Sequence, residues 1–158
     1  MRPIQESNGV KYYLVRVDKE DIPEVWGLVK DGVNNAMLHS DASMSGDEFL
    51  GELMSGNVVL WLFLTNNMEV VGHMITQIIR YSRKSFVRVL TMECKGGEKG
   101  MLGMNLWAKF VPEVEEYAAR NGCQHLEAYT RAGMARALKK HGWENQHHIV
   151  TKEISYVI

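Results

Sequence analysis

Phe86-Val87-Arg88-Val89-Leu90-Thr91-Met92-Glu93-Cys94-Lys95-Gly96-Gly97-Glu98-Lys99-Gly100-Met101-Leu102-Gly103 changes texture twice within one short stretch. Its first eight residues are rich in aromatic and β-branched types and predict a strand. Residues 95–103 hold four glycines in nine positions. Leu102, Leu106, Phe110, Val114 and Tyr117 then recur at spacings of four, four, four and three, which predicts an amphipathic helix ending near Asn121-Gly122. Pro112 falls inside that helix and predicts a kink. Glycines between a strand and a helix permit positive φ and close backbone approach. Successive amides, joined by the free amides of the helix start, can then turn inward as a cradle for an anion. Lys95 and Lys99 add charges that attract phosphate. The other reading of the same residues is a flexible turn before an ordinary helix. Neither common nucleotide loop fits, because Gly100 is followed by Met101-Leu102 rather than Lys-Ser/Thr, and glycines at 96, 97, 100 and 103 miss the dinucleotide spacing.

Upstream, Val58-Val59-Leu60-Trp61-Leu62-Phe63-Leu64 is continuously apolar over a strand length, as in a strand covered on both faces. Asn66-Asn67 predicts a turn, and Glu69 to Ile79 the next strand, with Gly72 marking a bulge or a close approach. With Phe86–Glu93 these make an antiparallel meander. Nearer the N-terminus, Tyr12–Val17 reads as a first strand, and Asp18 with Asp21 as a cap for a helix over about 20–36. Pro23 suits the opening turn of that helix. Ser45 with Glu48 three residues later forms a capping box for a short helix containing Phe49, Leu50 and Leu53. Downstream, His125–Thr130 predicts a strand, Ala132–His141 a short helix ended by Gly142, and Trp143 to Ile154 a final strand or hairpin. The order is β–α–α–β–β–β–α–β–α–β, with no internal repeat and no linker. Residues 1–158 therefore read as one domain of the α/β (α+β) class, a mostly antiparallel mixed sheet with helices on both faces.

The 158 residues, 46 % apolar and 23 % charged, have an ordinary globular balance. Cys94 and Cys123 are too few for a disulfide scaffold, and a reducing compartment suits them. No apolar run is long enough for a membrane span, and the opening Met1-Arg2-Pro3-Ile4-Gln5-Glu6 is too polar for a signal peptide, so a cytoplasmic protein is expected. Charge is uneven. Residues 1–75 carry five Lys and Arg against eleven Asp and Glu, a net of −6, and residues 76–100 carry six against two, a net of +4. That suggests a local anion site more than a nucleic-acid track, and solvated faces are the plainer reading of the same charges. Arg80, Arg83, Lys84 and Arg88 cluster on a hairpin without a known reading motif, so no nucleic-acid partner is expected.

This order of elements resembles the GNAT acyltransferase fold over nearly all of residues 11–156. The similarity is carried by Tyr13-Leu14-Val15-Arg16-Val17 with Glu20-Asp21-Ile22-Pro23, by Val70-Val71-Gly72-His73, and by Gly133-Met134-Ala135-Arg136-Ala137-Leu138-Lys139-Lys140-His141-Gly142-Trp143-Glu144. Small bacteriophage-encoded GNAT-like proteins are especially similar in texture. The resemblance implies an acyl-CoA-dependent N-acyltransferase, with acetyl-CoA as donor and direct transfer to a primary amine on a small molecule or a basic peptide. It also implies a V-shaped opening between the fourth and fifth strands for the pantetheine arm. Coenzyme contacts would come from Cys94, Lys95, Gly97, Lys99, Gly100, Met101, Leu102 and Gly103. The family's turn reads Arg/Gln-x-x-Gly-x-Gly/Ala. With its first glycine on Gly100, Gly97 replaces the Arg or Gln and Leu102 the second small residue. Many members carry a Tyr four residues before the glycine closing the last helix. Here that position is Leu138, which has no proton to give; Tyr129, on the preceding strand, is the candidate substitute, and a packing tyrosine at a strand end is the competing reading. The altered turn and Leu138 support the other reading, a catalytically inactive GNAT-like interaction or virion-associated protein with a protein partner. A homodimer through an exposed sheet edge is compatible with either.

Transfer to a protonated amine needs a base. Glu93 is the leading candidate, since it ends a strand beside the glycine turn; its alternatives are a solvated strand-end acid or a partner for Lys95. His73 is the second candidate, and a satisfied core histidine is the competing reading. Cys94 lacks a visible His-Asp arrangement and reads as an inert buried thiol, and Cys123 as structural. His141, His147 and His148 do not converge as metal ligands, because strand neighbours point to opposite faces.

Overall fold

The computed structural model describes residues 2–38, 44–96, 106–129, 132–146 and 149–155. Six strands form one sheet in the order β1-β2-β3-β4-β5-β6. They are β1 (Gln5–Ser7), β2 (Val10–Val17), β3 (Val59–Thr65), β4 (Val70–Arg80), β5 (Ser85–Cys94) and β6 (His125–Ala128). Neighbours are antiparallel except β5 and β6, which run parallel. Two helices cover one face, α1 (Ile22–Leu38) and α2 (Gly46–Ser55). Ile22, Trp26, Val29, Val33, Phe49 and Leu53 pack there on Leu60, Leu62, Leu64 and Ile75. On the other face, α3 (Leu106–Lys109) leads into α4 (Val111–Arg120). Phe110, Val114 and Ala118 pack there on Trp61, Phe63, Met74, Val87 and Val89. The short α5 (Ala132–Lys139) follows β6. β3 is buried from Leu60 to Thr65, as its unbroken apolar run requires of a strand between two layers. Among the described residues no helix is long and apolar enough to cross a membrane.

Local chemistry accounts for most boundaries. The Ser45 side chain accepts from the Glu48 backbone N–H, and the Glu48 carboxylate accepts from the Ser45 N–H, so the expected capping box is present. Gly56, with φ of 85°, closes the same helix in the left-handed region. The kink expected at Pro112 is a break one step earlier. Phe110 separates α3 from α4, and Pro112 sits in the first turn of α4, where its missing N–H costs nothing.

Three expectations are corrected. Asp18 makes no side-chain cap, since residues 19–21 form a 3-10 turn in which the Asp21 N–H donates to the Asp18 carbonyl. The chain has an additional first strand, β1, paired with β2 through Gln5, Glu6 and Ser7. No strand forms among the described residues from Trp143 to Ile154, where Ile149, Val150 and Ile154 are exposed. The β-branched residues there meet no second strand to complete a ladder, and a propensity without a partner does not make a strand.

Two irregularities shape the middle of the sheet. Phe63 opposes Gly72 while Leu64 opposes Val70, leaving Val71 as an extra residue in β4. Ile75 opposes Thr91 while Thr76 opposes Val89, leaving Leu90 as an extra residue in β5. The two readings of Gly72 both hold, for it adjoins the first bulge and also meets β5 closely. A Cβ there would lie 2.6 Å from the Glu93 carbonyl oxygen and 2.8 Å from Cys94 Sγ.

Candidate functional site

β5 and β6 pair only over Phe86–Val89 and His125–Ala128. The Arg88 guanidinium ties them together, with Nη2 2.8 Å from Glu127 Oε1. One residue later β5 bulges at Leu90 and the pairing ends. From Leu90 to Cys94, the side of β5 turned away from β4 has no strand partner among the described residues. Its backbone groups are donors and acceptors without a ladder, which suits an extended ligand or an acyl oxygen.

Glu93 lies in this stretch, directly across from His73 of β4, on the face covered by α1. Asn35 of α1 donates through Nδ2 to Glu93 Oε2 at 2.7 Å. Gly32 stands one turn earlier on the same helix. A Cβ at Gly32 would lie 3.3 Å from His73 Nδ1 and 3.6 Å from Glu93 Oε1, so the bare glycine lets α1 close over both side chains. His73 is buried, and burial pulls it from the ordinary 6.5 down to about 4. The ring is therefore neutral at physiological pH. Its Nε2 has no hydrogen-bond partner among the described residues, contrary to the satisfied core histidine weighed from sequence.

The alternative pairing of Glu93 with Lys95 does not form among the described residues. Lys95 Nζ meets Glu69 Oε1 at 3.2 Å, with both side chains exposed, and the Lys95 backbone N–H donates to the Val71 carbonyl. Cys94 points to the opposite face from Glu93, against Gly72 and the α4-side core. Burial first, then the Glu93 charge, push its thiol up to about 12 despite the opposing pull of Lys109. Such a thiol is protonated and inert, as the sequence indicated. Gly97, Lys99, Gly100, Met101, Leu102 and Gly103 lie outside the described residues.

Tyr129 follows β6 directly and is exposed, with the Arg88 guanidinium 4.7 Å from its ring centre. It lines a cleft of about 850 Å³ along β6, together with Glu127, Leu138 and Trp143. Leu138 is buried, its methyl groups occupying the position where the resemblance implies a tyrosine. Among the described residues no group of three His, Cys, Asp or Glu side chains converges to hold a metal. The structure thus joins Glu93 with His73 and sets Cys94, Lys95 and Tyr129 apart from them. Asn35 and Gly32 were missed from sequence. The available signal was a glycine inside an amphipathic helix, which marks a close approach.

No family model and no curated protein matches the chain. Solved structures do. An aminoglycoside acetyltransferase from an uncultured soil metagenomic sample, in complex with sisomicin, superposes with a TM-score of 0.62 at 12 % identity, over 91 % of this chain and 97 % of that one. A predicted acetyltransferase with acetyl-CoA from Clostridium acetobutylicum gives 0.62 at 11 % identity, over 90 % and 96 %. A GNAT family acetyltransferase from Staphylococcus aureus gives 0.59 at 12 %, over 90 % and 98 %. The fold is therefore that of the GNAT acetyltransferases, a mostly antiparallel sheet between helical layers. Identity this low carries the architecture and not the chemistry, and nothing in these likenesses points to a bacteriophage subgroup.

Proposed function

We propose that the protein is an acetyl-CoA-dependent N-acetyltransferase acting on a primary amine by direct transfer. The observation that carries this reading is the parting of β5 from β6 after Val89 and Ala128, with Glu93 in the liberated stretch. The free backbone edge from Leu90 to Glu93 fits the amide-bearing pantetheine arm, which can lie beside it as a strand would. The turn at Gly97–Gly103, with Lys99, would hold the diphosphate through its main-chain nitrogens. Acetyl-CoA supplies the acyl group as a thioester, whose C–S bond breaks as the C–N bond to the amine forms. Backbone N–H groups of β5 are available to the acyl oxygen as it gains charge. Glu93 takes the proton released by the amine, and Tyr129 returns one to the departing sulfur. The acidic first 75 residues, net −6, favour a cationic acceptor, either a small polyamine-like molecule or a basic peptide.

Calorimetry with coenzyme A and thiol-release assays over an amine panel, including an aminoglycoside and a basic peptide, test this. Glu93→Gln is expected to lower kcat by about 100-fold, the ordinary contribution of a general base, with coenzyme affinity unchanged. Absence of binding at millimolar coenzyme A refutes the reading. One observation favours a second function, a non-catalytic interaction protein: the buried Leu138, which fills the usual acid position with hydrocarbon.

A further inference from the structure

We infer that Asn35 is a positioning residue for Glu93, a role that rests on the transferase reading above. Glu93 sits near the end of a strand whose β6 side is unpaired, so its own strand restrains the side chain on one side only. The restraint comes from α1. Asn35 Nδ2 holds one carboxylate oxygen, Oε2, at 2.7 Å. The other, Oε1, lies beside the bare Cα of Gly32, next to the His73 ring. Gly32 and Asn35 are three apart and share one helical face, so a single rigid element both admits the carboxylate and fixes its rotation. The neutral His73 ring opposite Glu93 gives it no competing cationic partner. One oxygen is thereby tied, and the other accepts no hydrogen bond among the described residues. A carboxylate so held loses less freedom when it meets the amine than an unrestrained one.

A double-mutant cycle on the full chain tests this, with acetyl-CoA and the best amine of the panel. Asn35→Leu removes the donor without adding charge, and Asn35→Ala removes it together with the side chain's bulk. Each is expected to lower kcat about tenfold, the worth of one hydrogen bond to a charged group, with the KM for acetyl-CoA unchanged. In a Glu93→Gln background the same substitutions are expected to have no further effect, because Asn35 acts through that carboxylate. A residue that merely anchored α1 would lower activity equally in both backgrounds. The contact is also read without turnover, since Glu93→Gln is expected to shift the Asn35 side-chain amide resonances in a nitrogen-15 spectrum. Active wild-type protein with Asn35→Leu at full kcat, or amide resonances indifferent to Glu93→Gln, overturns the inference alone. Wild-type protein inactive toward every amine overturns it together with the transferase reading.

Discussion

Gly72→Ala should wedge the sheet open where the candidate base is attached. The new methyl carbon would stand 2.6 Å from the Glu93 carbonyl oxygen, 3.0 Å from Cys94 Cα and 2.8 Å from Cys94 Sγ. Ordinary carbon–oxygen contacts begin at about 3.3 Å, so β4 and β5 must separate by roughly 0.7 Å at this pair. Two of the three obstructing atoms are main chain, and no rotamer change relieves them. Overpacking of this kind costs about 1–3 kcal/mol. For a domain of this length each kcal/mol lowers Tm by about 2–4 °C, so a drop of about 2–12 °C is expected. Thermal unfolding followed by circular dichroism reads it directly. Adding Cys94→Ala relieves the sulfur contact and leaves the carbonyl clash, so the double variant should recover only part of the loss. A Gly72→Ala protein that melts with the wild type, or full recovery by Cys94→Ala, would refute the assignment of the clash to the backbone of β5.

Other expectations follow from single groups. The unfolded chain protonates His73 near its ordinary 6.5, whereas the fold resists protonation until about 4. Its contribution is therefore whole above pH 6.5 and lost as pH falls toward 4, a loss of about 3 kcal/mol. His73→Phe should shrink the difference in urea stability between pH 7 and pH 4 by about that amount, and an unchanged difference would mean that the ring titrates normally. The Trp61 indole N–H donates to Thr76 Oγ1 at 2.9 Å inside the core. Thr76→Val should cost about 1–3 kcal/mol by orphaning that donor, as measured by urea unfolding. Iodoacetamide at pH 8 should label the half-buried Cys123 well before Cys94, whose thiol burial pushes up to about 12; mass spectrometry of the labelled peptides gives the order.

The sequence displayed the sheet and its layers where chemistry was local. The unbroken run from Val58 to Leu64 announced a strand with two covered faces, and Ser45 with Glu48 announced the start of α2. Pro112 was correctly seen as an interruption, because its constraint resides in one residue. Asp18 failed as a cap because the chain enters a 3-10 turn before α1, satisfying the backbone without its side chain. The C-terminal residues carried strand propensity, but a strand exists only with a neighbour to bond. The site was half legible. Glu93 stood out beside the glycine turn, yet its bond to Asn35 spans 58 positions and its opposition to His73 depends on a register that no local pattern encodes. Lys95, two residues on, would share the face of Glu93 in a continuing strand, but β5 ends at Cys94 and the Lys95 ammonium turns to Glu69.

The extra residue at Leu90 also decides which flank of the sheet receives the acid. Val87 and Val89 look toward α4, and simple alternation would send residues 91 and 93 the same way. The inserted residue inverts that sequence, so Met92 and Cys94 join the α4 flank while Glu93 meets Asn35. Deleting Leu90 would leave Thr91 to Cys94 paired as they are, with Glu93 still across from His73, whereas smoothing the bulge out with Leu90 retained would turn the sulfur toward Gly32 and drive the carboxylate into hydrocarbon. In this chain, a slip of one position in strand pairing, with every side chain kept, is enough to dismantle the site.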